Sequence, residues 1–176
     1  MSPVYALFII RRLSTKCLKF GVPVRVREEN ADFFVYLGDT VYADSSVRTQ
    51  ILGLSPATTL EEFRDLYKVN QGFSALADLL KSTSTYAIWD DYEVRDNFTG
   101  QTVDPMLYAT GRKAFLEYMP LRKSRFPTDP NCAGNPLFRV FHWGKDAEII
   151  ILDERSCRSA DISTLCSNDL VPTLPP

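Results

Sequence analysis

Short apolar runs alternate with segments of helical periodicity along the middle of the chain. Residues 31–38 (ADFFVYLG) and 85–91 (TYAIWDD) are continuous apolar runs, which predict strands covered on both faces. Residues 58–83 between them place apolar side chains at helical spacing, with Thr59 positioned to cap the start. A break at residues 70–72 predicts two successive helices in this segment.

The second half of the chain continues the alternation. Residues 104–120 (DPMLYATGRKAFLEYMP) predict a helix that Pro120 ends, and residues 137–158 predict a β-hairpin with its turn at 144–146. Strands and helices in turn predict an α/β fold built on a layered sheet. Residues 160–176 have no periodicity and no closing element, so we interpret them as a truncated tail.

Composition and charge exclude several classes of function. The chain has 176 residues, of which 45% are hydrophobic and 24% charged, as is typical of one soluble globular domain. A formal net charge of -2 provides no general attraction to nucleic acid or anionic lipid.

The apolar run VYALFII near the start is shorter than the ~20 residues of a membrane span. Its positive charges, Arg11 and Arg12, follow it, so we recognise no signal peptide and leave the compartment open.

The four cysteines show neither a Cys-x-x-Cys pair nor the spacing of a zinc site. Cys157 and Cys166 are close enough in sequence to form a disulfide in an oxidising compartment. A reduced, buried state is the commoner alternative when the compartment is unknown. Both alternatives stay open at the level of sequence.

Oxygen-bearing side chains cluster where each predicted strand ends. They are Asp39, Tyr42 and Asp44 after the first strand, Asp90, Asp91, Glu93, Asp96 and Asn97 after the second, and Asp153, Glu154, Arg155 and Arg158 after the third. Ligands of open α/β sheets bind at the carboxyl ends of the strands. Carboxylate, amide and phenolate oxygens suit hard or borderline cations, and arginine suits phosphate oxygens. The combination predicts metal-assisted hydrolysis of a phosphate ester.

Four motifs in order, LGDTVYAD, WDDYEVRDNF, FLEYMP and ILDERSCRS, resemble the successive motifs of PhoD-like alkaline phosphatases, which belong to the metallophosphatase class. The similarity runs from about Ala31 to Ser159. It implies an incomplete metallophosphatase-type layered sheet sandwich with flanking helices, and hydrolysis of phosphate mono- or diesters by metal-activated water. The implied organisation is a poorly matching lead-in over 1–30, a partial catalytic domain over 31–159 and the truncated tail.

The resemblance also implies roles for individual residues. Asp39 would be the bridging metal ligand and Tyr42 a tyrosinate ligand to iron, while Asp91 and Asn97 would complete the calcium and phosphate side. Arg155 falls where the family places an arginine near the substrate, so the implied catalytic residues are Asp39, Asp91 and Arg155. The implied cofactors are Fe3+ and Ca2+, with other divalent metals as alternatives. The implied partner is a small phosphate-ester substrate.

The chain departs from the family pattern at several points. Cys17 is the single candidate for the family's metal-binding cysteine, but no apolar strand precedes it directly. Tyr92 replaces the histidine of the usual Trp-Asp-Asp-His-Glu motif. The late Asp-x-His segment is missing, since the one histidine, His142, follows Phe141. The family's N-terminal β-sandwich domain and the C-terminal half expected in a complete homologue are also missing.

These departures define two further hypotheses. Under one, the chain is a catalytically incomplete fragment of such an enzyme, with no turnover alone. Under the other, it is a soluble α/β binding module with acidic loops, and the four motif matches are coincidental.

Several candidates also have purely structural interpretations. Asp39 follows Gly38 and suits a plain turn. Tyr42 suits a half-buried aromatic with a hydrogen-bonded hydroxyl. We interpret His142, between Phe141 and Trp143 on a strand, as structural and leave it out of the site.

The two remaining groups of candidates also have alternatives. One of Asp90 and Asp91 is expected to cap the turn after its strand while the other faces the metal. Arg155 suits the phosphate role, and its alternative is a surface ion pair with Asp153 or Glu154, which would contribute little to stability.

Overall fold

The structure of the chain is a computed structural model. It describes residues 9–10, 22–44, 55–119, 121, 129–145 and 147–160. Within them the elements in chain order are β1 (Ile9–Ile10), α1 (Val22–Glu28), β2 (Phe33–Leu37), α2 (Leu60–Gln71), α3 (Ser74–Ser82), β3 (Ser84–Ile88), α4 (Pro105–Tyr118), β4 (Arg139–Trp143) and β5 (Ala147–Ile151). The helices and strands predicted from periodicity are thus confirmed. Helix α1 was not predicted.

A parallel sheet in the order β1-β2-β3 carries the candidate site at one edge. Strand β2 is buried along its length except for half-buried Leu37, as expected for a strand covered on both faces. Strands β2 and β3 pair from Phe33 opposite Ser84 to Leu37 opposite Ile88. Because Leu37 and Ile88 lie directly opposite each other, the segments that follow the two strands leave the sheet at the same position along its edge.

Helix α2 begins where its sequence signal predicts. The Thr59 side chain accepts a hydrogen bond from the backbone of Glu62, and the Glu62 carboxylate accepts one from the backbone of Thr59, which completes a capping box. The helix ends at Gly72, and α3 starts two residues later. An ion pair of 2.8 Å between Arg64 and Glu117 joins α2 to α4.

Strands β4 and β5 form the predicted hairpin as a separate antiparallel sheet. Gly144 in its turn has φ of +62°, a conformation that glycine adopts without steric cost. The hairpin packs on the parallel sheet through aromatic rings, with centroids 5.0 Å apart for Phe33 and Trp143 and 4.7 Å apart for Tyr86 and Phe141. Two layers of sheet therefore enclose an aromatic interface.

A disulfide joins Cys132 to Cys157. This corrects both sequence alternatives for Cys157, which were a bond to Cys166 and a reduced state. The physical reason is tertiary: the segment after α4 returns beside the turn after β5, where the Ala133 N–H donates to the Ser156 carbonyl at 2.8 Å. Cys17 and Cys166 lie outside the described residues.

None of the helices in the described ranges has the length and apolar content that crossing a bilayer requires. The described residues include α1, which lies in the lead-in over 1–30. The domain boundaries at 30 and 160 stay predictions.

Candidate metal centre

Three carboxylates meet at the carboxyl edge of the parallel sheet. One oxygen from each of Asp39, Asp90 and Asp91 lies within 4.8 Å of the others. Asp39 and Asp91 are only 4% and 5% exposed, and Asp90 is half-buried. Three negative groups held this closely away from water need compensating positive charge. Their oxygen ligands match the preference of hard cations, so the donor set fits a metal ion.

The backbone after β2 brings Asp39 to this edge. Gly38 and Asp39 have φ of +80° and +52°, both in the left-handed region. A Cβ on Gly38 would lie 2.4 Å from both Cβ and N of Asp90, so only glycine allows this approach of the two strand ends. Aspartate adopts the left-handed region more readily than most residues, and such residues occur both in turns and at binding sites. This backbone conformation suits the turn interpretation of Asp39 as well, and its role as a metal ligand stays a prediction.

Arg155 provides positive charge within the protein itself. Its Nε donates to Oδ1 of Asp90 at 2.7 Å, and its Nη2 lies 3.3 Å from Oδ2 of Asp91. The side chain is 9% exposed. The alternative of a surface ion pair with Asp153 or Glu154 is therefore wrong, because the guanidinium is buried against the two site aspartates.

Asp153 instead organises the turn that carries Arg155. Its carboxylate accepts hydrogen bonds from the Arg155 N–H at 3.1 Å and from the Ser156 hydroxyl at 2.6 Å. It also accepts from the Trp89 indole at 3.0 Å and from the Leu137 N–H at 2.7 Å. One half-buried carboxylate thus joins the turn after β5 to the end of β3 and to the start of the hairpin.

The turn after β3 wraps around Asp91. The Asn97 N–H donates to Oδ2 of Asp91 at 2.8 Å, and the Arg95 N–H donates to the Asp91 carbonyl at 2.8 Å. Asn97 has φ of +53°, and its exposed side chain donates to Asp96 at 3.0 Å. Asp91 therefore caps this turn and also faces the other carboxylates, whereas the expectation assigned those tasks to two different aspartates.

Two tyrosines, one from the segment after each of the two strands, lie beside each other. The rings of Tyr42 and Tyr92 have centroids 4.7 Å apart with planes inclined by 40°. The Ala43 N–H donates to the Tyr92 carbonyl at 2.9 Å, which ties the segments that carry the two rings. Tyr92 stands at the motif position of the usual histidine, so the substituted side chain contacts the expected tyrosinate ligand. The ligand role of Tyr42 stays a prediction.

Asp44, another member of the first strand-end cluster, contacts the segment that follows β3. Its Oδ2 accepts from the Asp96 N–H at 2.9 Å and lies 3.7 Å from Nε of Arg95. Burial raises the pKa of Asp44 above its ordinary value, against the hydrogen bond and the arginine, which lower it. Its contacts join the first and second strand-end segments.

Glu93 lies beneath the aspartates, and sequence reasoning gave it no role beyond membership of the acidic cluster. It is fully buried, with hydrogen bonds from Thr40 and from the Asp90 N–H. Burial raises the pKa of Glu93 to about 7, although these hydrogen bonds oppose the shift. A second buried contact to the same segment comes from Asn70 on α2, whose Nδ2 donates to the Thr40 carbonyl at 2.6 Å. The only signal for Glu93 in the sequence was its position within the acidic run after β3, which apolar residues flank.

The remaining predicted candidates lie elsewhere. Cys17 is outside the described residues. His142 lies on β4 with its side chain 77% exposed and its Nδ1 3.6 Å from Glu148 of β5. The histidine thus belongs to the surface of the hairpin.

Comparison with known proteins matches this chain to phosphatases. A family model described as PhoD-like phosphatase matches residues 18–169. The chain is 28% identical over 148 residues to alkaline phosphatase D of Bacillus subtilis (strain 168), covering 74% of this chain and 24% of that protein. A solved structure titled "Structure of PhoD" superimposes with a TM-score of 0.64 at 25% identity, covering 78% of this chain and 28% of that one. The chain spans about a quarter of the length of these relatives, and the α/β fold predicted from sequence is confirmed.

Proposed function

The chain belongs to the PhoD-like phosphatase family, and we propose that it hydrolyses phosphate mono- or diesters at the centre formed by Asp39, Asp90 and Asp91. The family match confirms the resemblance inferred from the four motifs. One observation carries the proposal: three carboxylates converge at the carboxyl edge of the sheet with a buried arginine beside them. Charge of both signs is thereby available for a cation and for an anionic substrate.

The proposed metal ligands come from the two strand ends. Asp39, Asp91, Asn97 and Tyr42 would hold Fe3+ and Ca2+, the cofactors that the resemblance implies, with other divalent metals as alternatives. Bound cations of this kind supply Lewis acidity towards water and towards the phosphoryl oxygens. Gly38 allows the segment that carries Asp39, the proposed bridging ligand, to approach Asp90 closely. Cys17, which lies outside the described residues, stays a proposed ligand.

Arg155 is proposed to serve both the carboxylates and the substrate. A guanidinium has five N–H donors in a planar fork, so it can keep its Nε bond to Asp90 and still donate to a phosphoryl oxygen. Its burial strengthens such a bond, because the surrounding protein screens charge less than water does. Asp153 supports this role by fixing the backbone of the turn on which the arginine lies.

The second candidate is a catalytically incomplete fragment without turnover. One observation favours it: the one histidine of the chain lies exposed on the hairpin. In addition, a cleft of about 390 Å³ opens between the two sheets, lined mostly by apolar residues such as Leu37, Ile88 and Ile149 and also by Asp90 and Glu154. In a complete homologue, the missing C-terminal half of the domain would be the partner that covers such a surface.

Hydrolysis of p-nitrophenyl phosphate and bis-p-nitrophenyl phosphate by the purified chain, with Fe3+ and Ca2+ supplied, tests the proposal. The matched variants are Asp39→Asn in the centre and Asp65→Asn on the exposed face of α2. We expect product from the wild type and Asp65→Asn and at least a hundredfold less from Asp39→Asn. Metal binding without turnover in the wild type would favour the incomplete fragment. Equal turnover in all three proteins would contradict the proposed site.

A further inference from the structure

We propose that Glu93 is a positioning residue that fixes the spacing of the metal centre by holding the two strand-end segments together. Its meaning for catalysis rests on the proposed function, whereas its effect on the two segments can be measured independently. The proposal stands on a set of buried hydrogen bonds in which each carboxylate oxygen of Glu93 serves a different segment.

Oε1 of Glu93 binds the segment that follows β2. It accepts from the Thr40 N–H at 2.5 Å and from the Thr40 hydroxyl at 2.7 Å. Thr40 is 1% exposed and directly follows Asp39, so these bonds fix the peptide that carries the proposed bridging ligand. Hydrogen bonds that are buried away from water are electrostatically stronger than exposed ones.

Oε2 of Glu93 binds the segment that follows β3. It accepts from the Asp90 N–H at 3.0 Å, which is the backbone of a second residue in the centre. Glu93 itself is fully buried, and it lies two residues beyond Asp91. One carboxylate therefore spans the gap between the two halves of the proposed ligand set.

The spacing needs such a link because the aspartates repel one another. Their oxygens lie within 4.8 Å, and the pairing of β2 with β3 ends at Leu37 and Ile88. Groups that orient metal-ligating residues through hydrogen bonds contribute about 10- to 100-fold to metal affinity in other proteins. Glu93 has the location and the bonds for that role.

The overall fold does not depend on this link alone. The Ala43 N–H donates to the Tyr92 carbonyl at 2.9 Å and Asn70 donates to the Thr40 carbonyl at 2.6 Å, so both segments have other attachments. Glu93→Gln conserves size, but its amide nitrogen must face a donor on one of the two sides. Glu93→Asp keeps the charge and shortens the side chain by one methylene, so it reaches one segment and releases the other.

The test compares the wild type with Glu93→Gln, Glu93→Asp and the control Glu148→Gln, whose residue is exposed on β5. Calorimetric titration with Ca2+ measures affinity at a temperature where circular dichroism shows every variant folded. Hydrogen exchange measured by nuclear magnetic resonance follows the amides of Thr40 and Asp90 and, as an internal standard, that of Val35 in β2. We expect both Glu93 variants to bind Ca2+ about 10- to 100-fold more weakly. We also expect at least tenfold faster exchange at Thr40 or Asp90 with no change at Val35.

The outcomes separate this proposal from the proposed function. Affinity for Ca2+ within twofold of the wild type in Glu93→Gln and Glu93→Asp would overturn the positioning role, even if the variants were less stable. If the wild type bound no Ca2+, the proposed metal centre would be contradicted, and exchange at the two amides would then decide the role of Glu93 alone. Unchanged exchange at both amides would overturn it.

Discussion

The guanidinium of Arg155 donates through Nε to Oδ1 of Asp90 at 2.7 Å, although 65 residues separate the two in sequence. Their side chains are 9% and 17% exposed, and Nη2 of the same arginine lies 3.3 Å from Asp91. The pair brings the turn after β5 against the end of β3. The negative charge of the three carboxylates is thus partly balanced by the guanidinium of Arg155.

Removing that arginine should therefore destabilise the protein. Arg155→Ala leaves Asp90 and Asp91 with uncompensated charge, and breaking a buried pair in this way costs about 3 kcal/mol. Urea denaturation measures the loss, and added Ca2+ should restore part of it. Arg64→Ala, which removes a more exposed partner of Glu117, is the control and should change stability little. Equal effects of the two substitutions would contradict the buried pair.

Substitution of Gly38 should disturb the centre more than its backbone conformation alone explains. Gly38→Ala adds a Cβ that meets Asp90 at 2.4 Å and also places alanine at a φ of +80°, for a loss of about 3 kcal/mol. Gly144→Ala meets a similar φ of +62° but no atom within 4 Å, so it should cost about 1 kcal/mol. Thermal unfolding of both variants checks the difference. A Gly38→Ala loss no greater than that of Gly144→Ala would show that the strand ends are not in contact.

The disulfide should contribute measurably to stability. Cys132 and Cys157 are 25 residues apart, and closing a loop of this length removes conformational freedom from the unfolded chain worth about 3 kcal/mol. Reduction with dithiothreitol should therefore lower the midpoint of urea unfolding. The double variant Cys132→Ser, Cys157→Ser provides the control, since dithiothreitol should leave its midpoint unchanged. A wild-type midpoint that reduction does not move would contradict the disulfide.

Acid should weaken the start of α2. Backbone hydrogen bonds from Thr58 and Thr59 lower the pKa of Glu62 from 4.5 to about 2. A lowered pKa means that the ionised carboxylate stabilises the folded state above pH ~4.5 and that this contribution is lost as the pH falls towards 2. Glu62→Gln should therefore lower the melting temperature by about 2 °C at pH 7 and have almost no effect at pH 2. Melting curves of both proteins at the two pH values check this, and a difference that grows in acid would contradict the cap.

Local signals in the sequence were sufficient to predict most of the helices and strands. The apolar run before Gly38 predicted β2, and the cap at Thr59 predicted the start of α2, because both depend on residues adjacent in sequence. Helix α1 escaped prediction since its sequence, VPVRVRE, is rich in β-branched valines with weak helix propensity. Tertiary packing, which periodicity does not report, provides the remaining stabilisation of such a helix.

The sequence motifs pointed to some of the residues that meet at the carboxyl edge of the sheet, but not to the contacts between them. The motif that ends β2 pointed to Asp39 and the motif after β5 to Arg155, because ordered motifs identify residues by position. Thr40, which binds Glu93, and Asp90, which binds Arg155, lie more than 50 residues from their partners in sequence, so only the folded chain reveals these contacts. The disulfide partner of Cys157, 25 residues away, was also missed because local sequence signals do not report tertiary contacts.

Calcium titration of the wild type, Asp39→Asn and the surface control Asp65→Asn tests the central claim most directly. The claim is that Asp39, Asp90 and Asp91 form a metal centre where β2 and β3 end. Calorimetry should show one saturable binding event in the wild type and in Asp65→Asn, and an affinity at least tenfold weaker in Asp39→Asn, because an amide replaces a charged ligand. Binding of equal strength in all three proteins, or none in the wild type, would contradict the metal centre.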